Sequence, residues 1–174
     1  MRILIASASL HGSTAQIADA IAEEIRAALP SAEVDVRAVH EVGRVDGYDV
    51  VILGSAVYTG HWLAEAVRFV RANAPILFTR AVWLFSSGPV GKLRPFLEPI
   101  EAAEMAGISA AREHRVFDGC LDRSQLRWYG RALATATHAP EGDFRDWQAI
   151  RGWARGISVW LRTHETTRHT LERR

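Results

Sequence analysis

The chain has 174 residues, 48% of them hydrophobic and 24% charged, which is the composition of one ordinary globular domain. Lysine and arginine number 21 against 20 acidic residues, and this balance gives no indication of a nucleic-acid surface. The single cysteine, Cys120, excludes an intrachain disulfide and suits a reducing compartment. Because no apolar window reaches about 18 residues, we expect a cytoplasmic protein and leave peripheral contact with the inner face of a membrane open.

The hydrophobic pattern predicts strands that alternate with helices. Short apolar or alternating runs predict strands at residues 3–7, 33–37, 48–55, 81–87 and 115–119. Helical spacing predicts helices at residues 13–29, 63–72, 93–106 and 126–137, and a last helix with Asp143 as its N-cap and an apolar face ending at Leu161. One domain then spans residues 1–161, and the polar residues 162–174 form a tail expected to fray or be disordered.

Strands alternating with helices predict an α/β fold, with a parallel sheet covered on both faces. Ligands of such sheets bind beyond the carboxyl ends of the strands, at the point where the strand order reverses. The loops expected to carry a site are therefore those at residues 8–14, 55–62, 86–92 and 118–124.

The first of these loops, Ser9-Leu10-His11-Gly12-Ser13-Thr14, leads from a buried strand directly into a helix. Its hydroxyl groups, its backbone N–H groups and the positive end of the helix dipole suit an anion such as phosphate. The alternative is that Ser13 or Thr14 only caps the helix.

The second loop contains Val57, Tyr58, Thr59, Gly60 and His61, followed by Trp62. Tyr58 is suited to stack on a flat ring, and Gly60 permits backbone conformations that other residues resist. For Trp62 the alternative is a core residue at the start of the next helix. His61 is the best candidate for a proton-transfer residue, because the ordinary pKa of histidine lies near neutrality.

The third loop, Ser86-Ser87-Gly88-Pro89-Val90-Gly91-Lys92, is small and polar, so its backbone can approach a ligand closely. It does not fit the phosphate-binding loop of nucleoside triphosphatases, because Ser86 stands where that motif needs glycine and Leu93 where it needs a hydroxyl. A phosphate, a flat ring and a polar backbone edge at successive strand ends together describe flavin mononucleotide (FMN).

The first loop resembles the flavodoxin phosphate loop, [ST]-x-T-G-x-T, with His11 in place of a threonine. Over residues 1–161 the chain is similar to the flavodoxin-type, menaquinone-dependent protoporphyrinogen IX dehydrogenase family. The segments that carry this resemblance are Gly54-Ser55-Ala56-Val57-Tyr58-Thr59-Gly60-His61, Phe117-Asp118-Gly119-Cys120-Leu121, Leu126-Arg127-Trp128-Tyr129 and Gly142-Asp143-Phe144-Arg145-Asp146-Trp147.

The resemblance implies a three-layer flavodoxin-like sandwich with strand order 2-1-3-4-5 and bound FMN. It implies phosphate contacts from the first loop, at Ser9, Leu10, His11, Gly12, Ser13 and Thr14. The residues implied to border the isoalloxazine ring are Val57, Tyr58, Thr59, Gly60 and His61 on one edge and Ser87, Gly88 and Pro89 on the other. We expect the peptide after Gly60 to contact flavin N5, and no metal ligand set is indicated.

Two functional classes stay open. The resemblance implies an oxidoreductase of heme biosynthesis that moves reducing equivalents from a porphyrinogen, or another flat reduced compound, to a quinone. The alternative is a flavodoxin-type electron carrier that docks on redox proteins and has no substrate, or a related domain that has lost FMN. Because electron carriers of this kind are usually strongly acidic, the formal charge of +1 favours the enzyme. The oligomeric state stays open.

Overall fold

The computed structural model describes residues 1–88, 98–121 and 141–171. Its strands are β1 (Arg2–Ala8), β2 (Glu33–Ala38), β3 (Val50–Tyr58), β4 (His61–Trp62), β5 (Ala81–Ser87), β6 (Glu113–Phe117), β7 (Cys120–Leu121) and β8 (Gly142–Asp143). The described helices are α1 (Ser13–Ala28), α2 (Ala64–Leu77), α3 (Ala102–Ser109) and α4 (Trp147–Leu171), and Val39–Glu41 forms a short 3-10 turn.

The main sheet has the order β2-β1-β3-β5-β6, and all of these strands are parallel. The two-residue β4 pairs antiparallel with the end of β3, and β7 and β8 form a separate antiparallel ribbon. When β4 is left out of the count, this order is the predicted 2-1-3-4-5, so the predicted fold class is confirmed.

Apolar residues on the two faces of the sheet form two separate cores, because successive side chains of a strand point to opposite faces. One core joins the sheet to α1 and α4 through residues that include Ile5, Ile52, Phe85, Ile21 and Trp153. The other joins it to α2 and α3 through residues that include Leu4, Leu53, Leu84, Phe69 and Met105. Helices on both faces leave the carboxyl edge of the sheet open for a site.

The last helix differs from the prediction at both ends. Asp143 lies in β8, so the prediction that it caps α4 is wrong. The cap is Asp146, whose Oδ1 accepts the N–H of Ala149 at 2.9 Å. The helix runs to Leu171, past the predicted domain boundary at residue 161. The rings of Trp160 and His164, which lie on either side of that boundary, are stacked with their centroids 3.6 Å apart.

Four other predicted elements changed or fall outside the description. Only residues 102–109 of the region around the predicted helix 93–106 are described as a helix, and the predicted helix 126–137 lies outside the described residues. The fifth predicted strand begins two residues earlier, because its pairing with β5 starts at Trp83 and Glu113. Helix α2 continues through Pro75 to Leu77.

Candidate functional site

The loops at the carboxyl edge of the sheet lie against one another. The rings of His11, after β1, and Tyr58, at the end of β3, meet edge to face with centroids 6.3 Å apart. The Gly88 N–H, after β5, donates to the Phe117 carbonyl at the end of β6, at 3.0 Å. These contacts join the first loop to the second and the third loop to the end of β6, all at the carboxyl edge of the sheet.

The first loop has the backbone of an anion site. Helix α1 begins at Ser13, and its N-cap is Gly12, with φ of +82°. The hypothesis that Ser13 or Thr14 is the cap is therefore wrong. Because Gly12 has no side chain to accept from the first-turn N–H groups, these groups and the helix dipole are available to an anion. The first turn contains no acidic residue that would repel one.

The side chains of the first loop differ in how buried they are and in which residues they contact. The Ser13 Oγ accepts the N–H of Cys120 at 3.2 Å, and a hydroxyl that accepts one hydrogen bond still has its own proton to donate. Thr14 is buried, Ser9 is half-buried, and Leu10 is exposed. Half-buried His11 is turned to the Tyr58 ring. The backbone and Ser13 therefore fit a phosphate group, whereas His11 also links the first loop to the second.

The second loop is a hairpin. Tyr58 pairs with His61, and the two residues between them, Thr59 and Gly60, have φ of +51° and +82°. Two consecutive positive φ values characterise the tight hairpin turn that matches strand twist, and the second position is one that glycine adopts without strain. The Gly60 carbonyl accepts the N–H of Ile100 at 3.0 Å, which holds the peptide after Gly60. Half-buried Val57 lies at the base of the hairpin.

Trp62 is a buried core residue, as the alternative predicted, but it lies in β4 and not in α2. Its indole Nε1 donates to the Ser86 Oγ at 2.8 Å, below the hairpin. Its backbone N–H donates to Glu101 Oε2 at 3.1 Å. These two bonds connect the hairpin to β5 and to the residue before α3.

His61, the candidate proton-transfer residue, is paired with Glu101. Its Nδ1 lies 2.7 Å from Glu101 Oε1, and half of its side chain is exposed. Burial disfavours the ionised carboxyl, but the hydrogen bonds from His61 and the Trp62 N–H outweigh it and hold the pKa of Glu101 below its usual range. A histidine oriented through one nitrogen by a carboxylate presents the other nitrogen, Nε2, for proton exchange.

The third loop brings Ser87 and Gly88 to the site. Ser87 is buried at the end of β5, and Gly88 has φ of +111°. A Cβ on Gly88 would lie 3.2 Å from the Val57 carbonyl oxygen, so the loop needs glycine for both conformation and space. Pro89 lies outside the described residues.

A buried histidine, His114, lies below the hairpin, and no local sequence pattern predicted it. The Ser86 Oγ, which accepts from Trp62, lies 2.8 Å from His114 Nε2, so its proton can be donated there. His114 Nδ1 is buried without a hydrogen-bond partner among the described residues, and Glu98 Oε2 is 3.9 Å away. Burial lowers the pKa of His114, and the Glu98 charge opposes this shift only in part.

This shift predicts a pH dependence of stability. The pKa of His114 is lower in the folded state than its ordinary value near 6.5. The free energy of unfolding is therefore highest above that pH, and it decreases as the pH falls below it, because the unfolded state binds the proton first. We expect His114→Gln to reduce the loss of stability between pH 7 and pH 5, measured by urea unfolding. The same substitution at exposed His40 is the control. An undiminished pH dependence in His114→Gln would contradict this account.

An open parallel sheet of this order, with a glycine-capped helix start after its first strand and an aromatic hairpin after its third, defines an α/β domain of the flavodoxin type. The flavodoxin domain family matches residues 4–146, and the chain belongs to this family. Membership supports a flavin-type redox role, as an oxidoreductase or in electron transfer.

Three known proteins illustrate the similarity. The protoporphyrinogen IX dehydrogenase [quinone] of Escherichia coli strain K12 is 25% identical over 188 residues, which cover 99% of this chain and 100% of that protein. The structure of a flavodoxin from the Archaea superposes with a TM-score of 0.62 at 16% identity, covering 93% of this chain and 99% of that one. Flavodoxin 2 from Bacillus cereus superposes with a TM-score of 0.53 at 25% identity, covering 79% of this chain and 99% of that one.

Within the described ranges, no helix has both the length and the apolar character that a membrane crossing requires.

Proposed function

We propose that this chain binds FMN and acts as an oxidoreductase, moving reducing equivalents from a flat reduced substrate of the porphyrinogen class to a quinone-type acceptor. The observation that carries the proposal is the contact of the loop before α1, whose first-turn N–H groups suit an anion, with an aromatic hairpin at one edge of the sheet, through His11 and Tyr58. The full-length similarity to a protein named protoporphyrinogen IX dehydrogenase supports the substrate class.

In this proposal the first-turn N–H groups of α1 and the Ser13 hydroxyl bind the phosphate. Tyr58, Thr59 and Gly60 border one side of the flavin ring, and Ser87 and Gly88 border another. FMN, when bound, supplies the electron-transfer chemistry. His61, oriented by Glu101, takes up or releases a proton at Nε2.

The direct test is reconstitution of the purified protein with FMN, followed by absorbance and by quenching of flavin fluorescence. We expect a yellow protein that oxidises protoporphyrinogen with menaquinone as acceptor. A purified protein that does not bind FMN would contradict every redox function proposed for this chain.

A second candidate is an electron carrier without its own substrate, because solved flavodoxins share this fold over nearly the whole chain. A carrier would bind FMN and exchange electrons with a reductase, but it would not turn over protoporphyrinogen with menaquinone. The near balance of 21 basic and 20 acidic residues favours the enzyme over the carrier.

Gly60 provides a test of the flavin edge. Valine disfavours the φ of +82° found there, so Gly60→Val is expected to displace the peptide after Gly60 and to lower the flavin midpoint potential, measured by dye equilibration. Gly43→Val is the control, because a Cβ at Gly43 would meet nothing within 4 Å. Identical potentials in wild type and Gly60→Val would refute a contact of this peptide with flavin N5.

A further inference from the structure

The β7–β8 ribbon and the turn after it contact the phosphate loop at one residue. The Cys120 N–H of β7 donates to the Ser13 Oγ at 3.2 Å. Arg145, just after β8, donates from Nη1 to the Ser13 carbonyl at 3.3 Å. Ser13, the first residue of α1, is therefore held at both its side chain and its backbone by residues more than 100 positions later.

Arg145 is itself rigidly placed. Its side chain is only 6% exposed. Its Nε and Nη2 donate to the two oxygens of Asp143 at 2.8 and 2.6 Å, and its Nη1 donates to Gln16 Oε1 at 2.6 Å. The guanidinium carbon lies 4.4 Å from the centre of the Trp147 ring. A planar fork with this many directed partners fixes geometry in a way that a lysine cannot.

The charge of Arg145 is compensated locally. The hydrogen bonds from Arg145 outweigh burial and lower the pKa of Asp143, so the pair is ionised on both sides at neutral pH. Because a compensated pair exerts little field at a distance, the effect of Arg145 on a phosphate in the loop is the alignment of Ser13 and the first turn of α1.

We propose that Arg145 is a positioning residue for the nucleotide phosphate: it aligns Ser13 and the start of α1, and thereby determines how strongly the protein prefers a phosphorylated flavin. This inference rests on the proposed FMN binding. It assigns to the segment after β8 a role in recognising the phosphate and none in recognising the ring.

The test compares FMN with riboflavin, which has the same ring and no phosphate. We expect Arg145→Gln to weaken FMN binding about tenfold, the loss of one hydrogen bond of a charged group, and to leave riboflavin binding unchanged. Dissociation constants come from flavin fluorescence quenching. Arg155→Gln is the matched control, since Arg155 of α4 also donates to a side chain of α1, that of Glu24 at 3.1 Å, but far from the loop.

Each further outcome decides the inference. Equal weakening of FMN and riboflavin would mean a merely structural role and would overturn it, as would unchanged FMN binding. Full FMN affinity in Arg145→Lys would also overturn it, because lysine keeps the charge and lacks the fork.

If Arg145→Gln does not fold, Gln16→Ala removes one Arg145 contact from an exposed position of α1. This variant is expected to lower the affinity for FMN and not that for riboflavin. A wild type that binds riboflavin and FMN equally refutes this inference, whereas a wild type that binds neither refutes the proposed function itself.

Discussion

Replacing Gly12 with aspartate is expected to weaken FMN binding at least about tenfold, beyond the loss of stability that any side chain causes through backbone strain at the φ of +82° found there. Gly12 is the N-cap of α1, and a Cβ there would meet nothing within 4 Å. Aspartate is among the residues that tolerate the left-handed conformation found there. Repulsion between two unit charges about 4 Å apart is worth about 1 kcal/mol in water and more near protein, and a phosphate carries nearly two charges.

The matched control is Gly12→Asn, which has the same shape and tolerates the same backbone conformation without the charge. We expect FMN binding to separate the two variants and riboflavin binding not to separate them. In urea unfolding of the unliganded proteins, Gly12→Asp is expected to be more stable than Gly12→Asn, because a carboxylate at a helix N-terminus is stabilising. Equal FMN affinities for Gly12→Asp and Gly12→Asn would place the phosphate elsewhere and remove the main support for an FMN site in this loop.

Replacing Gly54 with alanine is expected to lower the free energy of unfolding by about 3 kcal/mol. Gly54 lies in β3 between Ser7 of β1 and Phe85 of β5. A Cβ at this position would overlap the ring of Phe85, which is fully buried and packed edge to face on Trp153. Because the added Cβ would overlap this ring, the ring, the strand or the aromatic cluster must shift.

The control for this substitution is Gly156→Ala. Gly156 is exposed on α4, and its added Cβ would meet nothing within 4 Å. The same chemical change is there expected to leave stability unchanged or to raise it by about 0.5 to 1 kcal/mol, because alanine favours helix. Urea unfolding measures both. A Gly54→Ala protein as stable as wild type would show that the sheet accommodates the extra carbon, contrary to the tight packing described.

The strand order and the edge that carries the site could be predicted from the sequence. Apolar runs such as residues 48–55 and 81–87 identify buried parallel strands, and the connection rules leave few arrangements of them. The order of the strands came from the resemblance to the flavodoxin-type family, and it brings His11 and Tyr58 together because the first and third strands are neighbours. Local periodicity indicated the alternation of strands and helices and the parallel sheet.

Pairs that depend on the folded arrangement could not be predicted. His61 and Glu101 are separated by 40 positions, and no local pattern relates them. The start of α4 was misplaced because Asp143 and Asp146 are both good caps by residue type. The fork of Arg145, which is itself aligned by tertiary contacts to α1, occupies Asp143 and leaves Asp146 to cap the helix.

The contacts at Ser13 have a consequence for the order in which the protein is made. A ribosome releases the phosphate loop early, but the partners of Ser13 follow 107 and 132 residues later. A nascent chain can pair β1 with β3 well before Cys120 and Arg145 exist. The loop therefore acquires these two supporting contacts only after Arg145 has been synthesised, and any binding that depends on them must follow the formation of the β7–β8 ribbon.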